Sequence, residues 1–155
     1  MALIVGLNPL QGHTVTISPI ISAHSQHYIK NTDNSLFNAD HKMKGLVIDN
    51  KVVVATFENS YYNRSNLIGY NWELTRHNFK QVSFTSNLML GAVTGYTEEQ
   101  AGAAYLNKHL SLYILPSIAI KYPLSKQFSF TFDFGVLPAN NGAVLVQSFR
   151  INYRY

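Results

Sequence analysis

Apolar and polar residues alternate strictly at the end of the chain, over residues 148–155. The polar set is Ser148, Arg150, Asn152 and Arg154, and the apolar set is Phe149, Ile151, Tyr153 and Tyr155. Successive side chains of a β-strand point to opposite faces, so this strand has one oily face and one charged face. Such strands are typical of transmembrane β-barrels, whose apolar side chains contact lipid and whose polar side chains line the interior.

The same alternation, interrupted by turn-forming residues, recurs along the chain. It predicts strands over 14–26, 44–48, 51–60, 66–77, 80–96, 109–122, 127–136 and 143–155. Turns are predicted at Asp49-Asn50, Asn78 and Asn140-Asn141-Gly142, and a polar loop over 31–40. Residues 97–108 are helix-compatible, because Thr97-x-x-Gln100 resembles a capping box, but could equally form a long loop. We therefore predict an all-β fold, an eight-stranded antiparallel up-and-down transmembrane β-barrel, with residues 1–155 as a single domain.

The amino-acid composition further restricts the class of protein. The chain has 10 Tyr and 9 Phe against 12 Lys and Arg and 8 Asp and Glu, and its mean hydropathy is -0.03. No run approaches the roughly 20 apolar residues of a helical span. The absence of cysteine excludes disulfides and thiolate chemistry. The net charge of +4 is scattered, which argues against nucleic acid and favours contact with anionic lipid headgroups, with Lys30, Lys42 and Arg64 as candidates. Residues 1–10 lack the basic start of a signal peptide, so either a signal peptide was removed or the chain is not exported; the strand pattern favours removal of a signal peptide.

Several short motifs occur in an order that resembles one family, the outer-membrane lipid A palmitoyltransferases (PagP). They are Pro19–His24 (PIISAH), Phe57–Ser60 (FENS), Gly69–Glu73 (GYNWE), Leu115–Tyr122 (LPSIAIKY), the Pro138 to Val144 turn with its NNG, and Arg150. The resemblance implies an outer-membrane enzyme that moves an acyl chain from a phospholipid to lipid A or a related glycolipid. It implies no cofactor, and we expect a monomer.

The resemblance also implies a catalytic site at the extracellular end of the barrel. His24 would be the general base and Ser60 its polar partner. Asn59 stands where the family has aspartate, so it could orient His24 by a hydrogen bond but could not stabilise an imidazolium by charge. His27 is the alternate base, because a short gap could shift the match. The acidic residues that could fold over this site are Asp33 and Asp40.

Further residues are expected to bind substrate. Asn71 replaces the glycine at the floor of the family's acyl pocket, so the acyl chain is expected to be shorter than palmitate. Pro19, Pro116 and Pro138 lie in or beside strands, where proline removes a ladder donor. Matching prolines in the family open lateral gaps for lipid, although punctuation of strand ends is the alternative.

Interior charges are expected to pair inside the barrel. The sequence predicts a structural pair between Glu73 and Arg150, since an isolated buried charge is costly. Ser83, Thr85 and Asn87 are expected to complete that polar network.

Other classes of protein remain open. A non-catalytic acyl-chain-binding or structural outer-membrane barrel would keep the fold without the aspartate. A soluble lipocalin-like barrel would instead need apolar residues inside. A metal site from His24, His27, His41, Asp33 or Asp40 lacks any recognised ligand spacing, so no metal is expected.

Overall fold

The computed structural model describes residues 14–107, 110–139 and 142–155. The strands are β1 (Thr16–Ile29), β2 (Lys44–Ile48), β3 (Val52–Glu58), β4 (Arg64–Phe79), β5 (Val82–Val93), β6 (Tyr105–Asn107), β7 (Leu110–Pro123), β8 (Phe128–Ala139) and β9 (Gly142–Arg154). The helical segments are α1 (Glu98–Ala101) and the 3₁₀ turns Asn34–Leu36 and Gly102–Ala104. In the described part of the chain, no helix is long and apolar enough to cross a membrane.

The sheet closes on itself. Each long strand pairs antiparallel with its sequence neighbours, β5 pairs with β7 across the excursion that contains β6, and β9 pairs with β1. Eight strands, β1 to β5 and β7 to β9, thus form a closed antiparallel barrel, while the three residues of β6 pair only with β7. The predicted fold class is confirmed.

Local signals gave most element boundaries to within a few residues. Asp49 and Asn50 both have positive φ, as their turn requires. Thr97 and Gln100 form the expected capping box, but it starts only one turn of α-helix. The turn between β4 and β5 lies at Lys80, with φ of 52°, rather than at the predicted Asn78. The signal expectation for residues 1–10 and the predicted turn at Asn140-Asn141 fall outside the described residues.

The barrel wall is polar on its inner face and apolar on its outer face, as predicted. Inside, Arg150 is 6% exposed and Asn152 is 1% exposed. Large apolar side chains cover the outside, and these include Ile68, Trp72, Leu74, Ile114, Ile118 and Phe132. Aromatic pairs on this outer surface include Tyr70 with Trp72 and Phe128 with Tyr153. The exterior therefore suits hydrocarbon, and the aromatic residues suit its interface with water.

The interior has an apolar half and a polar half. We call the end that carries the loops 30–43, 59–63 and 94–104 the loop end, and the end that carries the turns 49–51, 80–81 and 124–127 the turn end. The apolar compartment, towards the loop end, contains Val47, Val53, Ala55, Phe57, Leu67, Met89, Val93 and Leu115. The polar plug, below it, contains Asn50, Asn71, Thr131, Asp133, Ser148, Arg150 and Asn152. Apolar side chains thus fill the half that faces the loops.

The predicted pair between Glu73 and Arg150 is wrong. Arg150 makes a bidentate ion pair with Asp133, at 2.7 Å from Nε to Oδ2 and 3.0 Å from Nη2 to Oδ1. Glu73 pairs instead with Arg76, three residues along its own strand. A register shift between Glu73 and Thr75 brings Arg76 beside Glu73, so the local partner replaces the distant one.

Two of the barrel's seams are incomplete near the loop end. Pairing of β1 with β2 stops at Ile20 and Gly45, one residue beyond Pro19. Contact between the two segments resumes only at the isolated bridge between His24 and Asp40. Pro19 itself still pairs with Leu46, and the unpaired stretch of β1 and β2 begins after Ile20.

The second incomplete seam lies between β7 and β8. Their pairing stops at Ser117 and Gly135. Pro116 and the β7 residues between it and the loop end therefore have no partner among the described residues of β8. Pro138 lies in the unpaired stretch of β8, although it still pairs with Ala143 of β9. Pro116 and Pro138 therefore both lie in the stretch where β7 and β8 are not paired with each other.

Candidate functional site

A hydrogen bond between His27 and Ser60 joins the ends of two strands at the loop end. His27 Nε2 lies 3.0 Å from Ser60 Oγ. His27 is on the inward face of β1 with Ala23 and Ser25, and Ser60 follows β3 by two residues. An imidazole at this distance can accept a hydroxyl proton, as required of a general base.

Aromatic rings hold the imidazole of His27 in place. Phe37 stacks on it with ring centroids 4.3 Å apart and planes at 16°. The edge of Tyr61 contacts Phe37, and Tyr96 contacts Tyr61 in turn. These rings come from three separate loops, so they fix the loops relative to one another over the apolar compartment. An open groove of about 420 Å³ runs beside His27 and is lined by His24, Gln26, Tyr28, Asn34, Phe37 and Ala39, among others.

A second serine–histidine pair lies deeper. His41 Nδ1 is 2.8 Å from the backbone oxygen of Glu58, and Nε2 is 2.8 Å from Ser25 Oγ. A carbonyl oxygen only accepts, so Nδ1 carries the proton and Nε2 accepts the hydroxyl proton of Ser25. Burial lowers the pKa of His41, which favours this neutral form. Ser25 is 1% exposed and His41 is 6% exposed, so this pair stabilises the loop end rather than meeting substrate.

Asn59 organises its loop and does not contact either histidine pair. Its side-chain oxygen accepts from the backbone N–H groups of Tyr61 and Asn63, at 2.9 and 3.1 Å. Its side-chain nitrogen donates to Ser65 Oγ and to the backbone oxygen of Gly95. The expected role of orienting His24 therefore has no support in the geometry, because both ends of the amide are already engaged and fully buried.

The structure brings His27, the alternate base, to Ser60 and leaves His24 on the outer face. A register shift between Ile20 and Ser22 inserts one residue into β1, which reverses the facing of every later residue. His24 is exposed, and it lies opposite Asp40 on one side and Gln147 on the other. Asp33 caps the turn that follows β1. Neither aspartate hydrogen-bonds to His27 among the described residues.

The other predicted residues lie outside the His27–Ser60 pair. Asn71 belongs to the polar plug, where its side-chain nitrogen donates to the backbone oxygen of Asn50 at 3.1 Å. Lys42 makes an ion pair with Glu58 at 3.5 Å. Among Ser83, Thr85 and Asn87, only Asn87 is buried, and it donates to Thr85. Within the described ranges, no group of three or more His, Asp and Glu residues is arranged to hold a metal ion.

Sequence reasoning missed Ser25 and Asp133, and it considered His41 only as a possible metal ligand and not as the partner of Ser25. Asp133 had a usable signal, because it alternates with Phe132 and Phe134 and therefore shares the inward face of Thr131. His41 had none, since it follows a loop whose path no periodicity predicts.

A closed eight-stranded antiparallel barrel with an apolar exterior and a charged, plugged interior is a β-barrel of the outer-membrane type. No model of a protein family matches the sequence, and no curated protein gives a significant match. Among solved structures, the chain is similar to Ail, the attachment invasion locus protein of Yersinia pestis. The alignment to Ail in complex with the heparin analogue sucrose octasulfate has 12% identity, covers 92% of this chain and 98% of Ail, and gives a TM-score of 0.46. A second Ail structure gives the same identity and coverage with a TM-score of 0.40. A likeness of this degree adds nothing to what the strand pairing shows.

Proposed function

We propose that this protein is an outer-membrane acyltransferase that resembles PagP. It would move an acyl chain from a membrane phospholipid to a hydroxyl of lipid A or a related glycolipid. The observation that carries the proposal is the 3.0 Å hydrogen bond between His27 and Ser60 at the loop end, above the apolar compartment. His27 takes the role first given to His24: it removes a proton from the attacking hydroxyl, and Ser60 positions or shares that proton.

The incomplete seams support a route for lipid. Between β7 and β8 the wall is unpaired beyond Ser117 and Gly135, and the inward side chain of Leu115 lies directly beside Gly135. A Cβ built on Gly135 would lie 2.5 Å from Leu115 Cδ1, so this glycine makes room for the leucine. An acyl chain could enter sideways here without breaking strand hydrogen bonds, with Pro116 and Pro138 bordering its path.

Transfer of labelled acyl chains tests the proposal. The refolded protein in detergent is incubated with a phospholipid labelled in its acyl chain and with lipid A, and the products are separated by thin-layer chromatography. We expect labelled lipid A, and we expect H27A and S60A each to lower the rate by about 10²–10⁴-fold, as for loss of a general base. H77A, which changes an exposed histidine near the turn end, serves as the control and should leave the rate unchanged. Loss of transfer in H24A with normal transfer in H27A would overturn the assignment of the base.

The expected acyl length depends on Asn71. Its amide is held in the polar plug, and a glycine there would lower the floor of the apolar compartment. We therefore propose transfer of a chain shorter than sixteen carbons, with N71G shifting the preference towards longer chains. Mass spectrometry of the product lipid A measures the added mass. A sixteen-carbon product from the unaltered protein would reject this part of the proposal.

A non-catalytic barrel that binds acyl chains, or is purely structural, is the second candidate. It is favoured by one observation: among the described residues no carboxylate hydrogen-bonds to His27 or His41, so an imidazolium would lack the partner that an aspartate provides. In the same assay such a protein would retain labelled phospholipid without producing labelled lipid A.

A further inference from the structure

An apolar groove crosses the outer surface of the barrel over β2, β3, β4 and β5. Its volume is about 500 Å³, within the range of about 300–1,000 Å³ in which proteins hold small ligands. The floor and walls include Leu46, Val54, Ile68 and Ala92, which face outward in four neighbouring strands. Cross-strand pairing aligns them at one level of the barrel, since Leu46 opposes Val54, Val54 opposes Ile68, and Ile68 opposes Ala92. The depression forms because the side chain of Ala92 is smaller than those of its neighbours in this row.

A row of polar residues lies next to this apolar row, on the side of the loop end. It contains Lys44, Thr56, Asn66 and Thr94, which also line the groove. Lys44 opposes Thr56, Thr56 opposes Asn66, and the backbone N–H of Asn66 donates to Thr94 Oγ1 at 3.0 Å. The groove thus spans a change from hydrogen-bonding groups to hydrocarbon within two residues along each strand, as at the boundary between lipid headgroups and acyl chains.

Two cations without a carboxylate partner border the polar row. Arg64 Nε donates to Thr56 Oγ1 at 3.0 Å, and Thr56 is also the cross-strand partner of Lys44, so both basic residues adjoin the same threonine of the polar row. In the described part of the chain, neither Arg64 nor Lys44 lies within ion-pair distance of a carboxylate, whereas the nearby Lys42 is paired with Glu58. Guanidinium and ammonium groups beside a threonine hydroxyl and an amide are suited to an anionic phosphate.

We propose that this groove is a binding site for one membrane lipid that carries a phosphate. The phosphate contacts Lys44 and Arg64, and an acyl chain lies across Val54, Ile68 and Ala92. Gly45, which lines the groove next to Lys44, is the last residue of β2 that pairs with β1, so the bound lipid lies beside the incomplete seam at Ile20. The proposal goes beyond acyl transfer and does not depend on it, because none of these residues belongs to the His27–Ser60 site.

Lipid retention measured by native mass spectrometry tests the site. The folded protein in a neutral detergent is titrated with three probes: phosphatidylglycerol, diacylglycerol and inorganic phosphate. We expect one tightly retained phosphatidylglycerol and no comparable retention of diacylglycerol or of phosphate alone. Equal retention of diacylglycerol would overturn the proposal in favour of a non-specific apolar surface, and retention of inorganic phosphate alone would show an anion site without an acyl groove.

Variants locate the binding on the surface. K44Q and R64Q should each weaken retention about fivefold, from the loss of about 1 kcal/mol for each basic residue near an anionic headgroup. A92F fills the groove and should weaken it about tenfold or more. The controls are K126Q, which changes an exposed lysine in the turn 124–127 at the opposite end of the barrel, and A143F, which places the same bulk on β9 away from the groove. Unchanged retention in A92F, or equal loss in A143F, would contradict the assignment, and far-UV circular dichroism verifies that each variant is folded.

Discussion

The buried ion pair between Asp133 and Arg150 makes the sharpest prediction about stability. The side chains are 20% and 7% exposed, and two hydrogen bonds join them. Arg150 also donates to Asn50 Oδ1 at 3.2 Å, so it links strand β9 to the turn between β2 and β3. This arginine therefore ties several elements of the polar plug together.

The magnitude follows from the distance and the burial. At an effective dielectric constant of about 20, charges 2.7 Å apart attract by roughly 6 kcal/mol before desolvation is subtracted. Removal of one partner leaves the other charge buried and uncompensated, which costs about 3–5 kcal/mol. D133L should therefore lower the free energy of unfolding by that amount. The double variant D133L/R150M should recover most of it, because an apolar replacement of both partners is often neutral.

Urea unfolding in detergent, followed by the fluorescence of the single tryptophan Trp72, measures these differences. The pair between Glu73 and Arg76 is the matched control, because its side chains are 40% and 49% exposed. Solvent screens such a pair, so E73L should cost no more than about 1 kcal/mol. The reasoning is refuted if D133L unfolds within about 1 kcal/mol of the unaltered protein, or if D133L/R150M is as unstable as D133L.

Two further predictions concern the loop end. N59D, which introduces the carboxylate of the resembled family, should lower the free energy of unfolding in urea by about 2–4 kcal/mol. The reason is that the buried hydrogen bonds that the Asn59 side-chain nitrogen donates to Ser65 and Gly95 are lost. A gain in acyl transfer without loss of stability would contradict the structural role given to Asn59. The lowered pKa of His41 predicts that its contribution to the free energy of unfolding is fully present above about pH 6.5 and is lost as pH falls through the folded-state pKa, because the unfolded chain binds the proton more tightly. Urea unfolding from pH 8 to pH 5 should show this loss, and H41Q should show a flatter pH dependence; an equal slope in both would contradict it.

The fold was predictable because each strand carries its own two-faced pattern. In β9 the alternation alone indicated that Arg150 faces inward and Phe149 outward, and the structure places both so. Polar residues at Asp49 and Asn50 likewise indicated a turn from their tolerance of positive φ. Such features depend only on neighbours in the sequence.

The site was harder to predict because a single inserted residue decides it. Without the register shift at Ile20 and Ser22, even-numbered residues of β1, including His24, would continue to face inward. With it, Ser25 and His27 face inward and His24 does not. No local sequence pattern predicts that register shift. The partners of His27 and His41 also come from residues 33 and 16 positions away, respectively, which only the closed barrel brings together.

The orientation of the barrel wall is the claim on which the membrane location and the acyl-transfer proposal both rest, and Trp72 tests it most directly. Its indole is 44% exposed on the outer face of β4, beside Tyr70. In vesicles that contain phospholipids brominated along their acyl chains, we predict strong quenching of Trp72 fluorescence and little quenching by aqueous acrylamide. Efficient quenching by acrylamide without quenching by the brominated lipids would place this face in water and contradict the account.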